Sequence, residues 1–317
     1  MSRPAPEARS RYSPRYWPAW AGLGLLWCLA RLPYRAAMAA GDLIGLIALP
    51  LAPYRRHVVE RNLALCFPQR SEAERRRMRR ANFRYTGRAV VELGMAAWWP
   101  DHRVAGIGEV HGLEHVAAAR REGRGVILMG LHFTSLDFTG RIMLRHVPFQ
   151  VIYRENENPV VEAFMRSSRE RHFEGAIHRR DMRGLIRALR RGQVVWYAPD
   201  QDYGRRYSVF APFFGQPAAT ITVLSRLAAM TGAAVLPATN RARTDGRGYI
   251  IRIDPPLTAF PSGDDAADAA RVNQLLEQRI REAPEQYYWV HRRFKTRPEG
   301  EAFPYRRKRR PRHRATA

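Results

Sequence analysis

Residues Gly125-Val-Ile-Leu-Met-Gly-Leu-His-Phe-Thr-Ser-Leu-Asp137 decide how the rest of the chain is read. The run is apolar without interruption up to His132, and a carboxylate, Asp137, follows at the fifth position beyond it. Continuous hydrophobicity over a short stretch is what a strand covered on both faces needs, so the stretch predicts a buried strand. Such a strand delivers an imidazole to the mouth of a sheet, where open α/β folds hold their ligands. Within one continuous helix, residues five apart point about 140° away from each other. At a strand-to-helix turn they can converge, and His132 and Asp137 then have the layout of a general base and its orienting carboxylate. A core histidine beside a helix-start Asp explains the same residues, and a short motif on its own favours that plainer account.

Outward from this stretch, strands and helices alternate. Phe149–Arg154 predicts a strand, and Asn158-Pro159 caps and opens a helix running toward Phe173. Asp181 caps a helix over Met182–Arg191 that Gly192 ends, and Gln193–Pro199 predicts a second buried strand. A helix from Thr220 to Met230 stops at Gly232, and Ala234–Pro237 reads as a strand. The Asp245-Gly246 turn leads into Tyr249–Ile253 as a hairpin. Val272, Leu275, Leu276, Ile280 and Ala283 recur at helical spacing. The pattern predicts an α/β fold with a mixed sheet flanked by helices on both faces, and no repeat of fixed period is visible.

Composition narrows the partners. The 317 residues are 45% hydrophobic, ordinary for a chain with a proper core, and carry a formal net charge of +25. That charge calls for acidic partners: nucleic acid, anionic lipid, phosphorylated substrate or an acidic protein. Only Lys295 and Lys308 are lysines; the rest of the 54 basic residues are arginines, which bind phosphate and carboxylate bidentately. Cys28 and Cys66 make neither a disulfide framework nor a zinc set, which fits a reducing compartment. A phosphate-binding Gly-rich loop, a Gly-x-Ser-x-Gly elbow and a His-Glu-x-x-His pair are all missing, and Gly106-Ile-Gly108 lacks the strand and acidic residue of a dinucleotide site. The reading therefore includes no metal and no cofactor. It leaves a histidine base without a built-in nucleophile, suited to deprotonating a substrate hydroxyl that attacks an activated carbonyl.

Near the N-terminus, Tyr16, Trp17, Trp20 and Trp27 stand among small and aliphatic residues, followed by a second apolar stretch, Ala36 to Pro53, broken by Asp42. Neither stretch reaches the ~20 apolar residues of an ordinary span, but aromatics of this kind gather at membrane interfaces. The expectation is a membrane anchor over 16–55, as one marginal span or as interfacial or re-entrant helices. It follows a disordered basic start over 1–15. The main domain occupies 56–305, and a disordered polybasic tail 306–317.

At this point four further blocks join His132-Phe-Thr-Ser-Leu-Asp137: Arg61-Asn-Leu-Ala-Leu-Cys-Phe-Pro68, Tyr153-Arg-Glu-Asn-Glu-Asn-Pro159, Gly192-Gln-Val-Val-Trp-Tyr-Ala-Pro-Asp-Gln-Asp-Tyr-Gly204, and the stretch from Pro284 to Gly300. Together they resemble the late, lauroyl/myristoyl-type acyltransferases of lipid A biosynthesis, within the His-x4-Asp/Glu acyltransferases. The phospholipid-making branch is less similar: it commonly has Asn before the His, where this chain has Leu131, and another block where Pro199-Asp-Gln-Asp202 stands.

The resemblance implies a glycerolipid acyltransferase-like, mostly parallel sheet. It implies transfer of a fatty acyl chain from an acyl carrier protein thioester to a 3-hydroxyacyl hydroxyl on a phosphorylated lipid A precursor, at the cytoplasmic face of the bacterial inner membrane. Anionic inner-membrane lipids are a third partner suited to the charge, and nucleic acid is not expected. His132 would be the base and Asp137 its orienting carboxylate. Arg154 and Arg169 are candidates for phosphate or oxyanion contact, and Asp200 and Asp202 for sugar hydroxyls or for ordering arginines; each also has a plain surface or turn role open to it. Another membrane lipid as acceptor is the second reading. A nucleic-acid-binding protein without enzymatic activity is the third, and the charge alone suggests it.

Overall fold

The computed structural model describes residues 11–306. The polybasic segment beyond Arg306 and the first ten residues lie outside that range. Four helices open the chain: α1 (Trp17–Arg31), α2 (Tyr34–Leu51), α3 (Pro53–Cys66) and the long α4 (Glu72–Trp98). A capping box starts α4, in which the Ser71 hydroxyl accepts from the Glu74 N–H and the Glu74 carboxylate accepts from the Ser71 N–H at 2.7 Å. Then follow α5 (Asp101–Ala105), β1 (Gly108–His111), α6 (Leu113–Arg121), β2 (Val126–Met129), α7 (Leu136–Met143), β3 (Gln150–Tyr153), α8 (Pro159–His172), β4 (Gly175–His178), α9 (Met182–Arg190) and β5 (Val194–Tyr197). The last third carries the β6–β7 hairpin (Ser208–Phe213, Gln216–Ile221), α10 (Val223–Thr231), β8 (Ala234–Ala242), β9 (Tyr249–Ile253) and α11 (Asp265–Glu282).

Seven strands form one sheet in the order β1-β9-β8-β2-β5-β3-β4. Every neighbouring pair is parallel except β8 and β9, so β1 and β9 run against the other strands and the sheet is mixed, mostly parallel and flanked by helices, as expected. The decisive strand β2 lies at the centre with all four residues buried. Val126 and Leu128 join a core with α4, α6 and α7, while Ile127 and Met129 join one with α3, α9, α10 and α11, the alternation that strand geometry imposes. The capped helices form where the sequence places them: Asn158 accepts from the N–H groups of Val160 and Val161, and Asp181 from that of Gly184.

Two features depart from the expectation. The helix read from Thr220 starts at Val223, because Thr220 belongs to β7. The hairpin that claims it turns on Phe214 and Gly215, both at positive φ (51° and 72°), a pairing that matches the right-handed twist of the strands but lacks the usual Asn-Gly signal. In addition, β1 and β4 are short edge strands whose sequences, Gly-Glu-Val-His and Gly-Ala-Ile-His, are too polar and too brief to register as strands.

The N-terminal helices are fixed to the rest by close packing. A Cβ on Gly45 would lie 2.0 Å from the Phe83 carbonyl oxygen, and one on Gly87 2.1 Å from that of Gly41, so α2 and α4 approach backbone to backbone. Asp42 accepts from Arg88 at 2.6 and 2.8 Å and from Arg84 at 2.5 Å across the same seam. Of the segment 1–15 expected to be disordered, residues 11–15 lie against α1, with the Tyr12 ring stacked on Trp20.

Candidate active site

The site is created by the register of two neighbouring strands. Parallel β2 and β5 pair Met129 with Tyr197, and each chain runs three residues further before it presents a polar side chain, His132 after β2 and Asp200 after β5. Equal extension from paired positions brings the two together at the carboxyl edge of the sheet. The Asp200 carboxylate holds His132 at two points: Oδ1 lies 2.6 Å from ring Nδ1, and Oδ2 accepts from the His132 backbone N–H at 2.9 Å. Backbone approach here needs Gly130, where a Cβ would fall 2.3 Å from the Trp196 indole nitrogen. The Trp196 ring itself stands edge-on to the imidazole, with centroids 5.8 Å apart.

The electrostatics fix the proton. Asp200 is fully buried. Burial alone would raise its pKa, but the His132 charge, the two hydrogen bonds from His132 and the Tyr287 hydroxyl hold it down at about 2. An ionised carboxylate on Nδ1 sets the tautomer with hydrogen on Nδ1 and leaves the Nε2 lone pair as the basic site. For His132, burial pushes the pKa down, while the charge and hydrogen bond of Asp200, with the charge of Asp137, outweigh it and raise it above the ordinary value.

The carboxylate bonded to the His132 ring is that of Asp200, whereas Asp137, expected in that place, has no hydrogen bond to the ring among the described residues. Asp137 sits on the first turn of α7, crowded by protein yet open to the cavity that His132 also lines. Burial raises its pKa, and the charges of His132 and Arg169 only partly offset this. The two carboxylates therefore bracket the ring differently, one by contact and one through the field.

That cavity has a volume of about 300 Å³ and runs from His132 over the sheet and under α7 and α8, at the lower end of the size of small-molecule sites. Its mouth is polar, with Asp137, Arg154 and Arg169; deeper in, Met143, Phe149, Val151, Phe173 and Ile251 make it apolar. Arg169 donates to Glu162 at 2.7 Å and lies over the Tyr153 ring, so it is held rigidly at the wall. Arg154 is exposed at the rim and pairs with Glu157 at 3.0 Å. Asp202 is turned away from the cavity: its carboxylate accepts from the Thr296 N–H and hydroxyl at 2.8 and 2.9 Å and its backbone N–H donates to His291. It ties down the loop that carries Asp200. Among the described residues, no group of three or more His, Cys, Asp or Glu side chains is placed to hold a metal ion.

Several supporting contacts come from the Pro284–Gly300 block, which the sequence singled out without showing what it touches. Segment 286–288 clamps the turn that carries His132: Gln286 C=O accepts from Thr134 N–H, and His132 C=O accepts from Tyr288 N–H. His291 is held near pKa 4, mainly by burial, and remains neutral as the acceptor for Asp202. Outside that block Glu162 left a trace, since it and Arg169 stand two helical turns apart on α8, on one face.

The family described as bacterial lipid A biosynthesis acyltransferases matches residues 5–296. The chain belongs to that family. It is 44% identical over 288 residues to the lipid A biosynthesis lauroyltransferase of Escherichia coli K12, covering 90% of this chain and 94% of that one. It is 43% identical over 302 residues to the palmitoleoyltransferase of the same organism, covering 94% and 97%. To the myristoyltransferase of that organism it is 30% identical over 298 residues, covering 93% and 92%. In this lipid A acyltransferase His132 and Asp137 thus stand at the mouth of an apolar cavity, with the buried carboxylate of Asp200 bonded to the ring.

Proposed function

We propose that this acyltransferase moves a fatty acyl chain from an acyl carrier protein thioester to the hydroxyl of a 3-hydroxyacyl chain on a phosphorylated lipid A precursor. The observation that carries the reading is the His132 imidazole, pinned through Nδ1 by buried Asp200 where an apolar cavity opens. Nε2 takes the proton of the acceptor hydroxyl as its oxygen attacks the thioester carbonyl. The tetrahedral oxyanion then collapses, the carbon–sulfur bond breaks, and the imidazolium returns the proton to the departing thiolate. Asp200 fixes the tautomer and stabilises the imidazolium, and Asp137 adds to its basicity. Arg169, locked by Glu162, is the cation at the cavity wall suited to the oxyanion or to an acceptor phosphate. Apolar lining of the inner cavity suits the acyl chain. The net charge of +25 suits an acidic carrier protein, a phosphorylated acceptor and an anionic leaflet.

The enzyme would work on the cytoplasmic face of the inner membrane. α2 is long and apolar enough to cross a bilayer. Its Gly41, Asp42 and Gly45 are committed to α4, however, which supports a helix pair lying in the interface. Trp17, Trp20, Leu25 and Trp27 of α1 and Leu43, Ile47 and Leu51 of α2 are exposed for that purpose. Purified chain supplied with acyl carrier protein thioester and a Kdo-bearing tetra-acylated acceptor should yield an acceptor heavier by one acyl chain by mass spectrometry. His132→Ala should abolish that product and keep membrane binding. Near-normal turnover by this variant would sink the mechanism.

A further inference from the structure

On the far side of α7 from the acyl cavity lies a second, polar cavity of about 360 Å³, lined by Asp101, Arg141, Leu144, Arg145, Arg171 and His172. It is bounded by α5, the end of α7 and the end of α8, while Thr139, Gly140 and Met143 of α7 face the acyl cavity instead. Three guanidinium groups and one carboxylate meet there. Each arginine makes one side-chain hydrogen bond among the described residues: Arg141 to the Asp101 carboxylate, Arg145 to the Asp101 carbonyl at 3.1 Å, and Arg171 to the Ala97 carbonyl at 3.5 Å. His172 Nε2 lies 3.2 Å from the same Ala97 carbonyl. Five N–H donors per guanidinium leave most of the donor capacity unused by protein.

For exposed Arg145 and Arg171 water can serve. Arg141 differs: its side chain is only 9% exposed, and its buried Nε has no partner. A nearly buried guanidinium held by one carboxylate, beside two further arginines that line the same open volume, is the arrangement that takes a tetrahedral oxyanion. Asp101 cancels only one of the three charges. The cavity also sits beside the membrane-facing helices: the Trp99 indole N–H donates to the Ala30 carbonyl at 2.6 Å, and Arg103 to the Leu32 carbonyl at 3.0 Å, joining the α4–α5 junction to the α1–α2 turn.

We propose that the Arg141–Arg145–Arg171 cavity is a phosphate-binding site, separate from the acyl cavity, for a phosphate-bearing ligand at the membrane surface. The chemistry is shared by a bilayer phospholipid headgroup, a phosphate of the acceptor and free phosphate, and the test separates these sources. Arg145→Ala/Arg171→Ala removes two exposed charges without touching the buried one. Arg183→Ala/Arg187→Ala, exposed on α9, removes the same charge elsewhere. Sedimentation with phosphatidylcholine vesicles, with and without phosphatidic acid, reads headgroup binding. If the ligand is a headgroup, the first variant binds the anionic vesicles about 30-fold more weakly, from about 1 kcal/mol per arginine near the surface, while the α9 variant loses clearly less. If the ligand is an acceptor phosphate, KM for acceptor in detergent rises at constant kcat in the first variant only. If it is free phosphate, millimolar phosphate raises the Tm of the wild type and not of the first variant. Each outcome supports the site and names its source. Equal behaviour of the two double variants in all three measurements overturns it, whether or not the acyl-transfer reading holds, because the vesicle and Tm readouts need no turnover.

Discussion

Asp200→Asn is the substitution that tests the site most directly. In the wild type, one carboxylate accepts two bonds from His132, from ring Nδ1–H and from the backbone N–H. An amide offers one accepting oxygen and one N–H2 group. If the oxygen keeps the backbone N–H, the N–H2 faces Nδ1, which must then become the acceptor, and the proton moves to Nε2, where it blocks the base. If the oxygen keeps Nδ1, two donors face each other at the backbone. The charge is lost in either case. Imidazolium and carboxylate centres about 4 Å apart interact by about 4 kcal/mol at an effective dielectric near 20. That is close to 10³ in rate, and the wrong tautomer pushes the loss further, toward the ~10⁴ known for the equivalent change in a Ser-His-Asp triad. Asp200 does not line the cavity, so KM should stay within a few-fold. The pH profile supplies an independent readout. His132 must be neutral to act and its pKa is raised, so wild-type kcat falls as pH drops through a value above about 6.5, the ordinary histidine value. In the Asn variant that acid limb should move to lower pH. Asp200, held at about 2, also stabilises the fold above the ordinary carboxylate range, and that contribution disappears as pH falls toward 2. Thiol release from the thioester donor, followed across pH with thermal unfolding as the folding control, measures all of this. A folded Asn variant with kcat within three-fold of wild type (about the 0.6 kcal/mol of RT) and an unmoved acid limb would refute Asp200 as the orienting carboxylate.

Three other outcomes follow from separate parts of the molecule. Gly140→Ala should shift donor preference toward shorter chains: a Cβ there meets the Phe149 and Phe173 rings at 4.0 Å, without clash, and occupies acyl space. At about 0.8 kcal/mol per methylene excluded, competition between donors should change kcat/KM by about four-fold per carbon. Gly45→Leu should force α2 away from α4 and cost at least about 1–3 kcal/mol of stability, read by thermal unfolding in detergent. Gly24→Leu on α1, with nothing within 4 Å, should leave Tm unchanged, and equal Tm values for the two would contradict the packed seam. Cys28 is exposed on α1 and Cys66 is buried. On vesicles, Cys28 should react with a lipid-soluble maleimide and resist a polar one, and rapid labelling by the polar reagent would place α1 outside the interface.

What the sequence revealed and what it hid have one physical origin, the difference between local pattern and long-range register. The central strand, the hairpin at Asp245-Gly246 and the capped helices α8 and α9 are local, carried by apolar runs and by caps within a few residues of the element they start. His132 was legible for the same reason, because a strand ending in an imidazole is a local event. Its partner was not. Asp137 is the nearest carboxylate along the chain and drew the orienting role, whereas the carboxylate bonded to the ring lies 68 positions away. Nothing between His132 and Asp200 announces the contact. It follows only once β2 and β5 are known to be parallel neighbours with Met129 opposite Tyr197. Both residues had been singled out, each beyond the end of a predicted buried strand. Adjacent parallel strands present their carboxyl-end loops side by side, so pairing polar residues by their distance from the strand ends would have joined them. The same limit hid the clamp from Gln286 to Tyr288, and it hid the cavity of Arg141, Arg145 and Arg171, which α7 and α8 assemble from arginines indistinguishable in sequence from the other basic residues of this chain. In an arginine-rich protein, convergence of several guanidinium groups on one open volume separates a binding arginine from a solvating one, and that convergence is a property of the fold.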